Sequence, residues 1–237
     1  GKLPTEEQQF QAYKLAAESM GRKKVVIRTA DLGGEKLADC LDLGGEKNPA
    51  MGVRGIRVSL DKEEIFMTQL RAILRASLYG NLSVMFPMIS SVAEVQRAKL
   101  LLGRAGKELK AEKIPYNEKI EVGVMIETPA AVMISGELTR EVDFVSIGTN
   151  DLTQFTLGMD RGNEHLEPYY NPHHPALLKM IRIVANNVHL ENKRISICGD
   201  LAADPEMTEF FLQIGIDELS VAPGEVLSLR KRIREIQ

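Results

Sequence analysis

The chain has 237 residues, of which 44% are hydrophobic and 27% charged, and its formal net charge is −3. This composition is typical of a globular protein with a sizeable core and excludes a disordered chain. The weak negative charge gives no reason to expect binding to nucleic acid or to an anionic membrane surface. No apolar run approaches the roughly 20 residues of a membrane-spanning helix and no secretory signal opens the chain, so we expect no membrane insertion.

The cysteines and histidines are few and scattered. Cys40 and Cys198 are widely separated, and the four histidines make no HxxxH pattern. A disulfide framework and a zinc site are therefore not expected, and the composition fits a protein of the reducing cytoplasm.

Hydrophobic periodicity and turn residues predict an alternation of helices and strands along the chain. The predicted helices span 6–20, 62–79, 92–113, 130–139, 175–190 and 205–214, and a basic helix ends the chain. The predicted strands span 24–29, 82–88, 121–126, 144–147, 194–198 and 218–222, with a doubtful strand at 53–59. Residues 30–52 form a Gly-rich connection, and an irregular loop is expected from Thr149 to Arg161.

The strands are rich in Val, Ile and Met with little polar alternation, which is typical of parallel strands buried on both faces. Polar and charged residues follow many of these strands, whereas an open doubly wound sheet concentrates its site at one switch point. A (β/α) barrel distributes its site in that way. We therefore expect an α/β fold, a TIM-type (β/α)8 barrel in one domain over 1–237.

Residues capable of chemistry stand at the ends of the predicted strands. These are Arg28 after the first strand, Glu127 after the third, Asn150 and Asp151 after the fourth, and Cys198 at the end of the fifth, with Arg54 and Arg161 in nearby connections. Each has an ordinary structural alternative: an ion pair or solvated cation for the arginines, a helix cap for Glu127 or Thr149-Asn150-Asp151, and a core position for Cys198. Their recurrence at one edge favours a functional interpretation.

The chemistry that this set allows can be stated from the residue types. Glu127 and Asp151 offer oxygen ligands suited to Mg²⁺, and the three arginines offer bidentate donors for phosphate and carboxylate. The charges of these groups and of Mg²⁺ leave about +3, which matches a substrate that carries a phosphate and a carboxylate. The Cys198 thiol, with a usual pKa of about 8.5, could act as a general acid.

Several segments resemble the phosphoenolpyruvate-utilising enzymes, and most closely the enzyme I family of the bacterial sugar phosphotransferase system. They are IRTADLGGEK (27–36), NPAMGVRGIR (48–57), QLRAILRAS (69–77), MFPMISS (85–91), GVMIETPAA (123–131), VDFVSIGTNDLTQFTLGMDRGNE (142–164), YYNPHHPALL (169–178) and ICGDLAADP (197–205). The resemblance covers essentially the whole chain in order, and GTNDLTQ and ETPAA are its most specific motifs.

The resemblance implies a role for each candidate residue. Phosphoenolpyruvate would be bound by Arg28, Arg54, Asn150, Asp151 and Arg161, with Asn150 at the phosphate. Glu127 and Asp151 would ligate Mg²⁺. Cys198 would protonate the enolate to give pyruvate. The resemblance also implies an enzyme with phosphoenolpyruvate–protein phosphotransferase activity and a homodimeric assembly in the cytoplasm.

The family's phosphoacceptor histidine stands in an upstream domain within a Thr-Ser-His motif, and this chain has no such triplet. We therefore expect the substrate-binding part only, with the phosphohistidine domain and the phosphocarrier protein as partners. The family barrel also has two further strand–helix units upstream, so six of eight barrel strands are expected here. The alternatives are the equivalent domain of pyruvate phosphate dikinase or phosphoenolpyruvate synthase, a Mg²⁺-dependent pyruvate-type aldolase, and a non-catalytic dimerisation module.

Overall fold

The computed structural model describes residues 3–31, 46 and 48–236. The predicted Gly-rich connection lies largely outside the described residues, and so do its residues Gly33, Gly34 and Glu35 and the cysteine Cys40. The chain divides into two compact units, unit 1 over Gly1–Gly123 and unit 2 over Val124–Gln237. Within the described residues, no helix is long and apolar enough to cross a membrane.

Helices and parallel strands alternate in both units, which confirms the predicted α/β class. Unit 1 contains α1 (Glu6–Met20), β1 (Lys24–Arg28), α2 (Ile56–Asp61), α3 (Glu63–Ala76), β2 (Asn81–Phe86) and α4 (Val92–Ala111), and β3 (Glu121–Ile126) crosses the boundary. Unit 2 contains α5 (Pro129–Met133), α6 (Ser135–Glu141), β4 (Phe144–Gly148), α7 (Thr149–Leu157), α8 (Pro175–Leu190), β5 (Arg194–Cys198), α9 (Thr208–Gln213), β6 (Glu218–Leu219) and α10 (Val226–Ile236).

In unit 1, helix α1 packs on α3 and on the first two strands. Phe10 and Ala17 of α1 form a buried cluster with Ala72, Ala76 and Leu82. Helix α1 begins with a capping box, in which the hydroxyl of Thr5 accepts the N–H of Gln8 and the side chain of Gln8 accepts the N–H of Thr5. Removing such a cap costs about 1 kcal/mol, so the local sequence supports the helix where it docks.

Two arginines of α3 reinforce this docking through carboxylates of α1 and of Glu112, the C-cap residue of α4. Arg71 donates to Glu6 at 2.7 Å and forms a fork on Glu112 at 3.0 and 2.7 Å. Arg75 donates to Glu6 at 2.7 Å and to Glu7 at 2.6 Å. The hydrogen bond from Arg71 lowers the pKa of the Glu112 carboxyl below its usual value. This network holds α1, α3 and α4 of unit 1 together.

Within each unit the described strand pairs β1–β2, β4–β5 and β5–β6 are parallel, as predicted. In unit 1, β1 pairs with β2 from Lys24 opposite Asn81 to Arg28 opposite Met85. In unit 2, β5 lies between β4 and β6, and Gly148 at the end of β4 stands opposite Cys198 at the end of β5. The register therefore brings the carboxyl ends of β4 and β5 level, so that residues following the two strands meet.

Two predicted elements are wrong in type. The doubtful strand at 53–59 is instead the short helix α2, because a run of this length gives too few residues for periodicity to separate strand from helix. Most of the irregular loop expected after β4 is instead helix α7, which spans Thr149–Leu157 and is followed by the C-cap residue Gly158 in the left-handed region. The polar residues Asn150 and Asp151 therefore lie in the first turn of a helix.

Other elements differ from the prediction in their limits. The helix predicted over 130–139 is two short helices, α5 and α6, that meet at Ile134. The last strand, β6, has two residues in place of the predicted five. The helices α3, α4 and α9 are shorter than predicted by a few residues at their ends, which is where sequence patterns are least informative.

Candidate functional site

In unit 1, two of the arginines predicted to bind substrate, Arg28 and Arg54, interact with the carboxylate of Asp31. Arg54 makes a bidentate pair with it, Nη2 to Oδ2 at 2.7 Å and Nε to Oδ1 at 3.2 Å. Arg28 Nη1 lies 3.7 Å from the same Oδ2. The side chains of Arg54 and Asp31 are only 14% and 7% exposed. A bidentate pair at low exposure fixes the plane of the Arg54 guanidinium.

Sequence reasoning missed Asp31. The signal was present, since Asp31 follows β1 by three residues within the segment IRTAD. Its carboxylate lowers the formal charge of this part of unit 1 from about +2, for Arg28 and Arg54, to about +1. The arginine cluster is therefore less strongly cationic than the sequence indicated.

In unit 2, the predicted metal ligand Glu127 directly follows β3 and is 1% exposed. The helix that follows is capped by Thr128, whose hydroxyl accepts the N–H of Ala131 at 3.1 Å, so Glu127 is not the cap. A Cβ added at Gly148 would stand 2.6 Å from Oε2 of Glu127. Gly148 therefore provides the space that the Glu127 carboxylate occupies.

The first turn of α7 carries the other two polar candidates of this strand end. Gly148 is the N-cap residue, and no side chain among the described residues caps the helix, which rules out the cap interpretation of Thr149-Asn150-Asp151. Asp151 is buried, and its Oδ2 lies 4.0 Å from Nη2 of Arg161. A carboxylate in the first turn is also favoured by the helix dipole.

Arg161 follows α7 and is tied back to it. Its backbone N–H donates to Oε1 of Gln154 at 3.0 Å, and its side chain remains 43% exposed. The pKa of the nearby Tyr170 depends in part on Arg161. Burial raises the pKa of Tyr170, while a hydrogen bond with Thr153 and the positive charge of Arg161 oppose that rise. The Tyr170 hydroxyl is therefore protonated at neutral pH and able to donate.

Asn150 and Cys198 are joined through the segment after β5. The Asn150 Nδ2 donates to Oδ2 of Asp200 at 3.1 Å, and its Oδ1 accepts the N–H of Asp200 at 2.9 Å. The hydroxyl of Thr149 donates to the carbonyl of Cys198 at 2.9 Å. Gly199 lies between Cys198 and Asp200 in the chain and has a φ of 91°. A Cβ at this position would stand 2.5 Å from Oγ1 of Thr149. These contacts lock the strand end that carries the thiol to the first turn of α7.

The Cys198 thiol itself is half-buried and hydrogen-bonded. Its Sγ donates to the carbonyl of Ile147 at 3.3 Å and accepts from the hydroxyl of Ser146 at 3.6 Å. A carbonyl acceptor favours the protonated thiol, which is the form that a general acid requires.

The donor set of unit 2 is compatible with Mg²⁺. Glu127 and Asp151 are two buried carboxylates, and Mg²⁺ commonly takes one or two carboxylates together with substrate oxygens and water. No group of three or more His, Cys, Asp or Glu side chains with a metal-binding arrangement occurs among the residues described. Two carboxylates by themselves would leave coordination positions of Mg²⁺ for substrate oxygens and water.

Comparison with known proteins places this chain in a family. The family model described as PEP-utilising enzyme, PEP-binding domain, matches residues 1–237. Among solved structures, a citrate lyase from Burkholderia xenovorans LB400 shares the fold with a TM-score of 0.55, at 17% identity over 70% of this chain and 53% of that chain.

Curated relatives carry the name phosphoenolpyruvate-protein phosphotransferase. That of Haemophilus influenzae is 48% identical over 99% of this chain, that of Buchnera aphidicola subsp. Baizongia pistaciae 47% over 98%, and that of Listeria monocytogenes 44% over 99%. This chain spans about 40% of the length of these relatives. The chain belongs to the family of PEP-utilising enzymes and corresponds to their PEP-binding domain.

Proposed function

We propose that this chain binds phosphoenolpyruvate together with Mg²⁺ and acts within a phosphoenolpyruvate–protein phosphotransferase. In that reaction the phosphoryl group passes to a histidine of an upstream domain, and pyruvate is released. One observation carries the proposal: unit 2 places two buried carboxylates, Glu127 and Asp151, after successive strands, with the Arg161 guanidinium 4.0 Å from Asp151. The names of the curated relatives favour this reaction over that of a dikinase or a synthase.

The roles follow from the charge of each group. Arg28, Arg54 and Arg161 would bind phosphate and carboxylate oxygens of the substrate, and the amide of Asn150 would donate to the phosphate. Glu127 and Asp151 would hold Mg²⁺, which supplies positive charge to the phosphate and enolate oxygens when bound. Fixed charges of this kind stabilise developing negative charge without reorganisation during the reaction.

The Cys198 thiol would complete the reaction at carbon. Transfer of the phosphoryl group breaks the bond between phosphorus and the enol oxygen and leaves the enolate of pyruvate. The thiol gives its proton to C3 of that enolate, and the resulting thiolate takes a proton from solvent. The Sγ of Cys198 donates to the Ile147 carbonyl oxygen at 3.3 Å, so the thiol is protonated and its proton has a fixed orientation before transfer.

The remaining parts of the proposal extend beyond this chain. The six strands would belong to a (β/α)8-type barrel. The partners would be the upstream phosphohistidine domain and, through it, the phosphocarrier protein of a sugar transport system. The assembly would be a cytoplasmic homodimer. These statements rest on the resemblance of the sequence motifs to the enzyme I family.

Titration with phosphoenolpyruvate tests the proposal directly. Calorimetry with and without Mg²⁺ is expected to show binding that Mg²⁺ strengthens, and addition of a separately produced phosphoacceptor domain is expected to release pyruvate. Absence of Mg²⁺-dependent binding would contradict the proposal. Release of pyruvate from a four-carbon keto acid without any acceptor would instead support an aldolase.

Replacing Asp151 with asparagine should remove the dependence on Mg²⁺. The variant loses one anionic oxygen ligand, and we expect its affinity for phosphoenolpyruvate to be nearly the same with and without the cation. Calorimetry in both buffers measures the difference. Asp143→Asn, an exposed change just before β4, is the charge-matched control and should keep the full Mg²⁺ effect. Equal Mg²⁺ effects in Asp151→Asn and the parent chain would exclude Asp151 as a ligand.

Gly148→Ala is expected to weaken the Mg²⁺ dependence of phosphoenolpyruvate binding by displacing Glu127. The added Cβ would stand 2.6 Å from Oε2 of Glu127, so the buried carboxylate must move. We expect the affinity measured with Mg²⁺ to fall roughly tenfold, about 1.4 kcal/mol, and the Mg²⁺-free affinity to stay unchanged. Gly103→Ala is the control, because a Cβ there meets nothing within 4 Å. If Gly148→Ala lowers both affinities equally, Glu127 does not act through the cation.

A further inference from the structure

One motif of the sequence, QLRAILRAS at 69–77, has no role in the function proposed above. Its first residue, Gln69, lies on α3 and is 9% exposed. Its Oε1 accepts the backbone N–H of Ala30 at 2.9 Å, and its Nε2 donates to the hydroxyl of Tyr13 at 2.9 Å. Both polar ends of a nearly buried amide are therefore used, one on the chain after β1 and one on α1.

The hydrogen bond to the Ala30 N–H affects the position of Asp31, because Ala30 directly precedes Asp31 in the chain. The ladder between β1 and β2 ends when the N–H of Thr29 donates to the carbonyl of Met85 at 2.9 Å. The next N–H, that of Ala30, is received by Gln69, and the residue after that is Asp31. Gln69 therefore holds the backbone at the residue before Asp31, the carboxylate that pairs with Arg54 and approaches Arg28.

The direction of these hydrogen bonds is fixed by their partners. An N–H at Ala30 requires an oxygen, so Oε1 must face Ala30 and Nε2 must face Tyr13. The Tyr13 hydroxyl accepts from Gln69 and donates to Oε1 of Gln9 at 3.2 Å. Burial raises the pKa of Tyr13, against the opposing effect of its hydrogen bond with Gln69, so the hydroxyl keeps the proton that it donates. Glutamine is thus specified at position 69 by one donor and one acceptor.

A cavity of about 320 Å³ adjoins this chain of hydrogen bonds and is lined in part by Pro4, Ile65 and Thr68 as well as by Gln69. The cavity is mostly apolar, but Gln9, Tyr13 and Gln69 contribute polar groups to its lining and it is large enough to hold water. If Gln69 is lost, water can satisfy the N–H of Ala30 but cannot fix its position. The loss is therefore expected to weaken the positioning of Asp31 more than the stability of unit 1.

We propose that Gln69 is a positioning residue for the anion-binding arginines of unit 1, and this rests on the function proposed above. Gln69 fixes the segment from Thr29 to Asp31, Asp31 orients Arg54, and Arg54 binds the substrate. Gln69 would touch neither phosphoenolpyruvate nor Mg²⁺.

Three variants separate positioning from packing. Gln69→Met has a similar volume and removes both hydrogen bonds. Gln69→Glu keeps an oxygen for the N–H of Ala30 but buries a charge, which lowers stability. Tyr13→Phe removes the partner of Nε2 and leaves the bond to Ala30. If Gln69 acts only by packing, affinity should follow thermal stability across the three.

The first measurement needs no ligand. In ¹⁵N NMR spectra of the whole chain, we expect Gln69→Met to shift the Nε–H resonance of Arg54 and to speed exchange of the Ala30 amide roughly tenfold. Gln69→Glu and Tyr13→Phe should leave both close to those of the parent chain. An unchanged Arg54 resonance in Gln69→Met would overturn the proposal, whatever the protein binds.

The second measurement is the dissociation constant of phosphoenolpyruvate with Mg²⁺. We expect it to rise roughly tenfold in Gln69→Met and to be restored in Gln69→Glu despite that variant's lower melting temperature. Weaker binding in Gln69→Glu than in Gln69→Met would show a structural role only and overturn the proposal. If the parent chain fails to bind phosphoenolpyruvate, the proposed function is wrong, and the spectra alone decide whether Gln69 positions Arg54.

Discussion

Arg54→Met is expected to lower the affinity for phosphoenolpyruvate by roughly 30-fold or more, the equivalent of about 2 kcal/mol for losing one partner of a close charge pair. The variant removes the guanidinium that would bind the phosphate and leaves the nearly buried carboxylate of Asp31 without its bidentate partner. That carboxylate would then repel an anionic substrate. Calorimetric titration with Mg²⁺ present measures the loss.

Two further variants make this result specific. Arg57→Met changes the charge equally three residues away, where the arginine is exposed and donates to the carbonyls of Met51 and Gly52, and it should bind within about twofold of the parent. Arg54→Lys keeps the charge but not the planar fork, so it should recover only part of the affinity. Full affinity in Arg54→Met would exclude Arg54 from the substrate site.

Cys198→Ala is expected to slow proton transfer at carbon by roughly 10²- to 10⁴-fold, the range for removal of a general acid. The reverse of the protonation step can be followed in this chain without an acceptor domain. In D₂O with Mg²⁺, the parent chain should exchange the methyl protons of pyruvate, and Cys198→Ala should lose this exchange. Proton NMR of pyruvate gives the rate, and titration should show phosphoenolpyruvate binding within about twofold of the parent.

The control for Cys198 lies two residues earlier on β5. Ser196→Ala also removes one polar atom from the strand, where the hydroxyl reaches the carbonyl of Val145 at 3.5 Å, and should retain exchange. Cys198→Ser keeps a hydrogen-bonding group of similar size, but its hydroxyl is a far weaker acid and should not restore exchange. Loss of binding in Cys198→Ala would show that the thiol is structural.

The structure changes the meaning of several residues that the sequence had singled out. Asn150 was expected at the phosphate, yet its amide oxygen and one amide hydrogen are engaged by Asp200. Among the described residues, the second N–H of the amide has no hydrogen-bond acceptor and would be available to a substrate. Arg161 and Asp151 were both predicted to bind phosphoenolpyruvate, Asp151 also as a Mg²⁺ ligand, and Nη2 of Arg161 lies 4.0 Å from Oδ2 of Asp151. The roles of these residues remain predictions, since they concern ligands that the experiments above introduce.

The sequence alone determined the alternation of helices and strands, the parallel character of the strands and the family. These follow from local patterns: apolar runs at β2 to β4, the capping box before α1, and motifs such as GTNDLTQ that are contiguous in the chain. It also identified the residues at strand ends, because a strand end is itself a local feature.

Only the tertiary structure decided which groups share a contact. Asp31 accepts hydrogen bonds from Arg54, which is 23 positions away in the sequence. Gln69 accepts the N–H of Ala30, which is 39 positions away. The space that Gly148 leaves for Glu127 is likewise invisible along the chain. Such contacts depend on how helices pack and on strand register, which no short window of sequence specifies. The sequence therefore identified the residue types of the candidate site, and the tertiary structure decided which neighbouring residues position them.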